Sequence, residues 1–130
     1  MVNVIISKYY EDIVNKLATS IKEELKKNKI EFKITEVSGV WEIPYEINRL
    51  SNLSKDNTEF IAVGVLLKGE TDHYKYIAEN TTYGIQKVSL EKNKPIIFGV
   101  LTVNNIDQAE ARIKSSTTYA ENLVEMVCNY

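Results

Sequence analysis

One segment of the sequence combines a turn suited to binding an anion with a residue that can transfer protons. Gly69-Glu70-Thr71 leads from an apolar run towards a helical pattern that begins near His73. Free backbone N–H groups and a hydroxyl at a helix N-terminus bind phosphate, although such turns are also common as plain helix caps. Histidine is the side chain that can donate or accept a proton near neutral pH, which makes His73 a candidate acid–base residue. The segment predicts either an acid–base residue beside a phosphate site or an ordinary capped turn with a surface histidine.

Two aromatic residues and a carboxylate occupy comparable positions, just after predicted strands. Tyr9 follows the first strand and Trp41 the second. Rings at adjacent strand ends can hold a planar heterocycle between their faces; the alternative is that both pack beneath the neighbouring helix. The carboxylate of Glu42 can accept hydrogen bonds from polyol hydroxyls, complement the N-terminus of the helix near Pro44, or do both. These residues indicate a site for a polar ring compound, with structural packing as the competing interpretation.

The hydrophobic pattern predicts the elements that position these residues. Apolar or alternating runs predict strands at Val2–Ile6, Phe32–Val37, Phe60–Leu67 and Ile96–Thr102. Helical periodicity fills the intervals: a first helix with Ile13, Leu17, Ile21 and Leu25, then Pro44 to about Leu53, His73 to Lys92, and Ile106 to Val127 with a break near Ser115–Thr118.

Two details of the helices follow from residue types. Asn28 is expected to end the first helix in the left-handed conformation, which asparagine tolerates. The helix that starts at His73 carries on one side Tyr76, Ile77, Asn80, Gly84, Ile85 and Val88.

The alternation of strands and helices predicts an α/β protein with a three-layer, flavodoxin-like α/β/α fold and a four-stranded parallel sheet. A length of 130 residues suits one domain, spanning 1–130. Ligands of such open sheets bind beyond the carboxyl ends of the strands. Tyr9, Trp41 and His73 all fall at that edge, so we expect the three to lie together.

Composition argues against several classes of function. The net charge is −2 and lysines alternate with glutamates, so a basic face for nucleic acid is not expected. One histidine and one cysteine leave no usual zinc site and no disulfide framework. The apolar runs are shorter than the ~20 residues that span a membrane, and the first residues lack the features of a signal peptide. We therefore expect a cytoplasmic protein with no metal, nucleic-acid partner or membrane contact.

Three segments resemble, in order and spacing, the signature segments of the 6,7-dimethyl-8-ribityllumazine synthase family: Gly39–Pro44, Lys68–Tyr74 and Pro95–Thr102. Ser7–Ile13 is similar to the family's first loop, and Ile106–Arg112 to its last helix. The resemblance covers Val2 to Arg112. Several motifs in the right order are more specific than any one of them, so the resemblance favours the functional interpretation of each.

The resemblance implies an enzyme of riboflavin biosynthesis that uses no metal or redox cofactor. It would condense 5-amino-6-(D-ribitylamino)uracil with 3,4-dihydroxy-2-butanone 4-phosphate to 6,7-dimethyl-8-ribityllumazine, releasing phosphate and water. His73 matches the family's proton donor. For the pyrimidine, the resemblance implies contacts from Tyr9 against the ring, from Val40, Trp41 and Glu42 at the ring and ribityl chain, and from the backbones of Val65, Leu66 and Leu67. For the phosphate, it implies the turn that contains Glu70 and Thr71. Phe98 and Arg112 would come from a neighbouring subunit, and Lys114 would be a second cation.

The sequence departs from the family pattern in two places. Tyr9 stands where the family usually has phenylalanine. After Arg112 the family runs through a kink that contains glycine and lysine, whereas Ile113–Tyr119 is shorter and has no glycine. Lys114 is the counterpart assigned here to the family's second phosphate-contacting lysine.

The resemblance also implies partners. It predicts a homopentamer with shared active sites, and riboflavin synthase as a further partner. The family also forms icosahedral capsids of pentamers, with which the glycine-containing kink is associated, so its loss favours the free pentamer. Two alternatives remain open: a non-catalytic protein of the same fold that binds a flavin or lumazine, and a protein that serves only in assembly.

Overall fold

The chain forms four strands and five α-helices, and the computed structural model describes residues 1–53, 58–69, 72–114 and 117–129. The strands are β1 (Val2–Ser7), β2 (Phe32–Val37), β3 (Glu59–Leu67) and β4 (Ile96–Val103). The helices are α1 (Glu11–Lys27), α2 (Ile43–Leu53), α3 (His73–Lys92), α4 (Ile106–Lys114) and α5 (Thr117–Cys128), with a 3₁₀ turn at Val40–Glu42. The predicted ends of the strands differ from these by one residue or none. The predicted break in the last helix includes residues 115 and 116, which lie outside the described residues.

The four strands form one parallel sheet in the order β2-β1-β3-β4. The chain passes from β1 to β2 on one side and then crosses to β3 on the other side of β1. This reversal separates the loops that follow β1 and β3 and opens a crevice at the carboxyl ends of the strands. The predicted four-stranded parallel sheet is therefore confirmed, and its switch point lies between β1 and β3.

Helices cover both faces of the sheet, which confirms the three-layer arrangement. Val4 and Ile6 of β1 join a buried cluster with α1, α4 and α5. Ile5, between them, joins a second cluster with α2 and α3 on the opposite face. Successive side chains of a strand point to opposite faces, so a sheet covered on both sides requires continuous apolar runs. That requirement explains why β1 and β3 are apolar almost throughout.

The helices pack through the sides that their apolar spacing predicts, with one exception. The predicted stripe of α1 is buried at Ile13, Leu17, Ile21 and Leu25. On α3, Ile85 is buried and Ile77 packs against the same cluster. Tyr76 and Asn80, which the sequence grouped with that side, are exposed. The side of α3 that packs is therefore narrower than predicted. No helix within the described ranges is long and apolar enough to cross a membrane.

The end of α1 also differs from the prediction. Asn28 follows the helix with φ −89° rather than in the left-handed region. Its backbone N–H donates to the carbonyl oxygen of Glu24 at 3.1 Å, and its side-chain amide donates to the same oxygen at 2.8 Å. These bonds keep Asn28 on the last turn, so the left-handed position moves to Lys29, at φ 58°. Asn28 therefore ends the helix as predicted, but the prediction of its left-handed conformation was wrong.

Candidate active site

A cavity of about 290 Å³ opens at the switch point of the sheet. It brings together seven of the residues that the sequence singled out: Tyr9, Val40, Trp41, Val65, Leu66, Leu67 and His73. They come from the loop after β1, the turn after β2, the end of β3 and the start of α3. A cavity of this size accommodates a small ring compound.

The two predicted aromatic residues of the cavity are not buried beneath helices. The exposed fractions of Tyr9 and Trp41 are 63% and 53%. Rings that packed under a neighbouring helix would be largely buried, so the packing interpretation does not hold for either residue. Both rings line the cavity and are accessible to a ligand.

The floor of the cavity is apolar and closely packed. Val40 and Val65 line it and are 4% and 1% exposed. Val40 lies directly against β3, because a Cβ atom on Gly64 would be 2.6 Å from Val40 Cγ1. The same atom would be 3.1 Å from Ser7 Cβ at the end of β1. Glycine at position 64 therefore allows the turn after β2 to pack closely against the sheet.

The last residues of β3 present unpaired backbone to the cavity. The ladder between β1 and β3 ends at Ile6 and Val63. The ladder between β3 and β4 continues to Leu67 and Val103. Beyond Val63, the backbone edge of β3 that faces β1 therefore has no strand partner among the described residues. Backbone N–H and C=O groups are obligatory hydrogen-bonding groups, so this edge is suited to bind the amide-like edge of a heterocycle.

Glu42 lies at the rim of the cavity rather than in its lining. It is exposed and ends the 3₁₀ turn, where its N–H donates to the carbonyl oxygen of Gly39 at 3.2 Å. Its Oε2 atom would lie 3.1 Å from a Cβ on Gly39, which itself lines the cavity. The carboxylate is thus close to the opening and accessible from solvent.

His73 is the first residue of α3, and its exposed side chain lines the cavity. Gly69, which opens the predicted anion-binding turn, lines the cavity too. Glu70 and Thr71 lie outside the described residues. The structure thus brings His73 to the cavity from the start of a helix, as the sequence predicts.

Two other predicted residues do not line this cavity, and a third lies outside the description. Phe98 lies on β4 and is 40% exposed. Arg112 is exposed on α4, and the side chain of Lys114, at the end of that helix, lies outside what the structure describes. The cavity of a single chain therefore contains neither Phe98 nor Arg112.

The structure adds three residues to the lining: Tyr10, Tyr74 and Ile77. Each has a signal in the sequence, since Tyr10 and Tyr74 follow Tyr9 and His73 directly and Ile77 is one helical turn beyond His73. The backbone of Tyr10 is less expected. It adopts the left-handed conformation, with φ 59° and ψ 51°, which is uncommon for an aromatic residue.

The charged groups near the cavity form no metal site among the described residues. Lys8, beside Tyr9, is held by Glu36 of β2, with Nζ and Oε2 3.0 Å apart. The hydrogen bond that Lys8 donates to this carboxylate raises the pKa of Lys8 above its ordinary value. The charge of Lys8 is therefore paired with the carboxylate of Glu36 on β2.

Comparisons with known proteins agree on one family. The sequence model of 6,7-dimethyl-8-ribityllumazine synthase matches residues 1–130. The synthase of that name from Limosilactobacillus reuteri is 31% identical, over 97% of this chain and 86% of its own length. The one from Coxiella burnetii is 35% identical, over 84% of this chain and 74% of its own. Among solved structures, a de novo designed Rossmann fold protein aligns with a TM-score of 0.45 and 16% identity, over 89% of this chain and 95% of that one; a likeness at this level carries no functional information. The chain belongs to the 6,7-dimethyl-8-ribityllumazine synthase family.

Proposed function

We propose that this chain condenses 5-amino-6-(D-ribitylamino)uracil with 3,4-dihydroxy-2-butanone 4-phosphate to give 6,7-dimethyl-8-ribityllumazine, phosphate and water. The observation that carries the proposal is the cavity at the switch point. In a chain of this family, the cavity is lined by an acid–base residue, His73, and by two accessible rings, those of Tyr9 and Trp41. These are the groups needed to hold a planar substrate and to move protons on it.

The cavity supports binding of the pyrimidine in three ways. The accessible rings of Tyr9 and Trp41 can pack against a heterocycle. The unpaired backbone edge of Val65–Leu67 can exchange hydrogen bonds with the carbonyl and N–H groups of the uracil. The carboxylate of Glu42 at the rim can accept hydrogen bonds from ribityl hydroxyls outside the apolar floor. Ring and polyol would thus occupy the two environments that suit them.

His73 is the group we propose for proton transfer. Schiff-base formation, loss of phosphate and ring closure each require a proton to be delivered or removed near neutral pH. An imidazole can do both. Its position at the start of α3 holds it at the edge of the cavity, which Gly69 of the turn proposed for the phosphate also lines. The remaining rate enhancement would come from holding two substrates in reactive geometry.

We further propose that the site is completed by a neighbouring copy of the chain in a homopentamer, with Phe98 and Arg112 crossing the interface. The support is that neither residue lines the cavity of its own chain. Phe98 shares a surface depression of about 490 Å³ with Leu90 and Met126, and all three side chains are exposed. Clustered exposed apolar side chains commonly mark interaction surfaces. A head-to-tail ring is the closed arrangement in which one surface meets a different one on each neighbour.

The shared site can be tested by complementation. His73→Ala and Arg112→Ala proteins, each of low activity, are dissociated, mixed and reassembled, and formation of the lumazine is followed by its absorbance. Wherever an intact His73 faces an intact Arg112 from the next subunit, a complete site appears, so activity should rise above that of either variant. The control is each variant taken alone through the same cycle. Mixed rings with no gain in activity would place both residues in one chain's site.

A further inference from the structure

We propose that Tyr10 is a positioning residue, whose ring fixes the orientation of Tyr9 so that Tyr9 can bind the heterocyclic substrate. This inference rests on the proposed function of the cavity. The rings of Tyr9 and Tyr10 meet edge to face, with centroids 4.7 Å apart and an interplanar angle of 84°. Edge-to-face contact at this separation is a favoured geometry for aromatic pairs.

Tyr9 needs such support because it has little packing of its own. Its side chain is 63% exposed, and exposed side chains usually exchange among rotamers. Tyr10, by contrast, is half-buried and packs against the core cluster between the sheet and α1. The pair therefore connects an accessible ring at the cavity to a ring anchored in the core.

The backbone of Tyr10 is held in a conformation that its side chain disfavours. Left-handed backbone is costly for a residue with a Cβ atom. Here it is fixed because the Tyr10 carbonyl accepts the N–H groups of Ile13 and Val14 at 3.1 and 3.0 Å, which starts α1. The Tyr10 side chain makes no capping hydrogen bond, so capping does not explain the residue type. Strained backbone of this kind persists where the surrounding structure requires it, often at functional sites.

Burial raises the pKa of Tyr10 above its ordinary value, which favours the neutral phenol. A neutral, half-buried ring that also lines the cavity can serve as a rigid part of the cavity wall. Any ligand that stacks on Tyr9 would benefit from that wall.

Three substitutions separate positioning from simple packing. Tyr10→Phe keeps the ring, Tyr10→Leu keeps an apolar side chain without a ring, and Tyr10→Asn fits the left-handed backbone without a ring. The orientation of Tyr9 is measured in the ligand-free protein by ¹⁹F NMR after labelling with 3-fluorotyrosine. The Tyr9 signal is assigned by its absence in Tyr9→Phe. We expect Tyr10→Phe to leave this signal in place. Loss of the neighbouring ring current shifts the signal in Tyr10→Leu and Tyr10→Asn in any case, so the readout of orientation is the transverse relaxation rate of the Tyr9 signal, which should change in these two variants because the Tyr9 ring exchanges among more rotamers.

Ligand binding gives the functional readout. Riboflavin is titrated against Trp41 fluorescence, and Kd should rise about 2- to 10-fold in Tyr10→Leu and Tyr10→Asn but not in Tyr10→Phe. Thermal stability should not follow this order, because Tyr10→Asn relieves backbone strain while losing the ring. The inference would be overturned if Tyr10→Leu left the relaxation rate of the Tyr9 signal unchanged, if it left Kd unchanged, or if the loss of affinity followed the loss of Tm. Wild-type protein that bound no riboflavin and made no lumazine would overturn the proposed function instead, and the ¹⁹F relaxation rate would then decide alone whether Tyr10 orients Tyr9.

Discussion

Gly64→Ala should destabilise the protein through a single contact beneath the cavity. The added methyl would lie 2.6 Å from Val40 Cγ1, whereas carbon atoms in contact are about 3.5–4.0 Å apart. Val40 would have to move by about 1 Å although it is 4% exposed and is packed on β3. Overfilling a packed core costs about 1–3 kcal/mol. For a domain of this size, that corresponds to a fall in Tm of roughly 3–12 °C.

A double-mutant cycle identifies Val40 as the cause. Val40→Ala alone removes two buried methyl groups, which should cost about 1.5–2.5 kcal/mol. In the double variant, the methyl of Gly64→Ala enters the space that Val40 Cγ1 has left. We therefore expect the double variant to be more stable, by about 1 kcal/mol or more, than the sum of the single effects. The remaining 3.1 Å approach to Ser7 Cβ limits the rescue.

The assay is urea unfolding at one protein concentration, since subunit association would make apparent stability depend on concentration. Gly69→Ala is the matched control, because a Cβ there meets no atom within 4 Å. It should leave the free energy of unfolding unchanged or raise it by less than about 1 kcal/mol. Additive effects of Gly64→Ala and Val40→Ala would show that the two residues do not touch, and would refute the packing described for the floor of the cavity.

Three further outcomes are expected. Titration with riboflavin should quench the fluorescence of Trp41, the only tryptophan, in a saturable way; an unchanged signal while dialysis shows binding would place the ligand elsewhere. Arg112→Ala should raise the KM for the butanone phosphate about 10- to 100-fold and that for the pyrimidine much less, since a charge-assisted bond to phosphate is lost; equal changes would indicate a structural role. Burial raises the pKa of Glu59, and its Oε2 has no hydrogen-bond partner among the residues that the structure describes, so its charged form destabilises the fold above that pKa. Glu59→Gln should therefore raise Tm by roughly 1–3 °C at pH 7.5, and the gain should vanish below about pH 4, where the carboxyl is neutral in both folded and unfolded protein; a gain independent of pH would contradict this cause.

The sequence predicted the sheet well because both of its faces are buried. Apolar runs such as Phe60–Leu67 leave few alternatives for a strand of that length, and the alternation with helices determines a parallel sheet. It predicted the packed side of α3 less well, because Tyr76 and Ile77 are both apolar and only one of them faces the sheet. Asn28 was assigned the wrong backbone conformation because its side chain bonds back to Glu24, a choice that residue type alone does not determine.

The candidate site was predictable where strand ends and motifs coincide. Tyr9, Trp41 and His73 lie at one edge of the sheet because parallel strands end there. Tyr10 was missed, since its role at the cavity depends on a left-handed backbone that an aromatic residue rarely adopts. The face of β4 on which Phe98 lies follows from the alternation of side chains along a strand. The surface that Phe98 contacts on another subunit does not follow from it, because an interface depends on two surfaces.

Turnover with both substrates tests the central claim most directly. Formation of the lumazine from 5-amino-6-(D-ribitylamino)uracil and 3,4-dihydroxy-2-butanone 4-phosphate is followed by its absorbance and fluorescence. The wild-type protein should exceed the spontaneous condensation. His73→Ala should reduce that excess by about one to two orders of magnitude while leaving Kd for riboflavin unchanged, because acid–base catalysis is lost and positioning remains. Wild-type protein that adds nothing to the spontaneous rate would contradict the proposed function, and His73→Ala protein with the full wild-type rate would remove His73 from the mechanism.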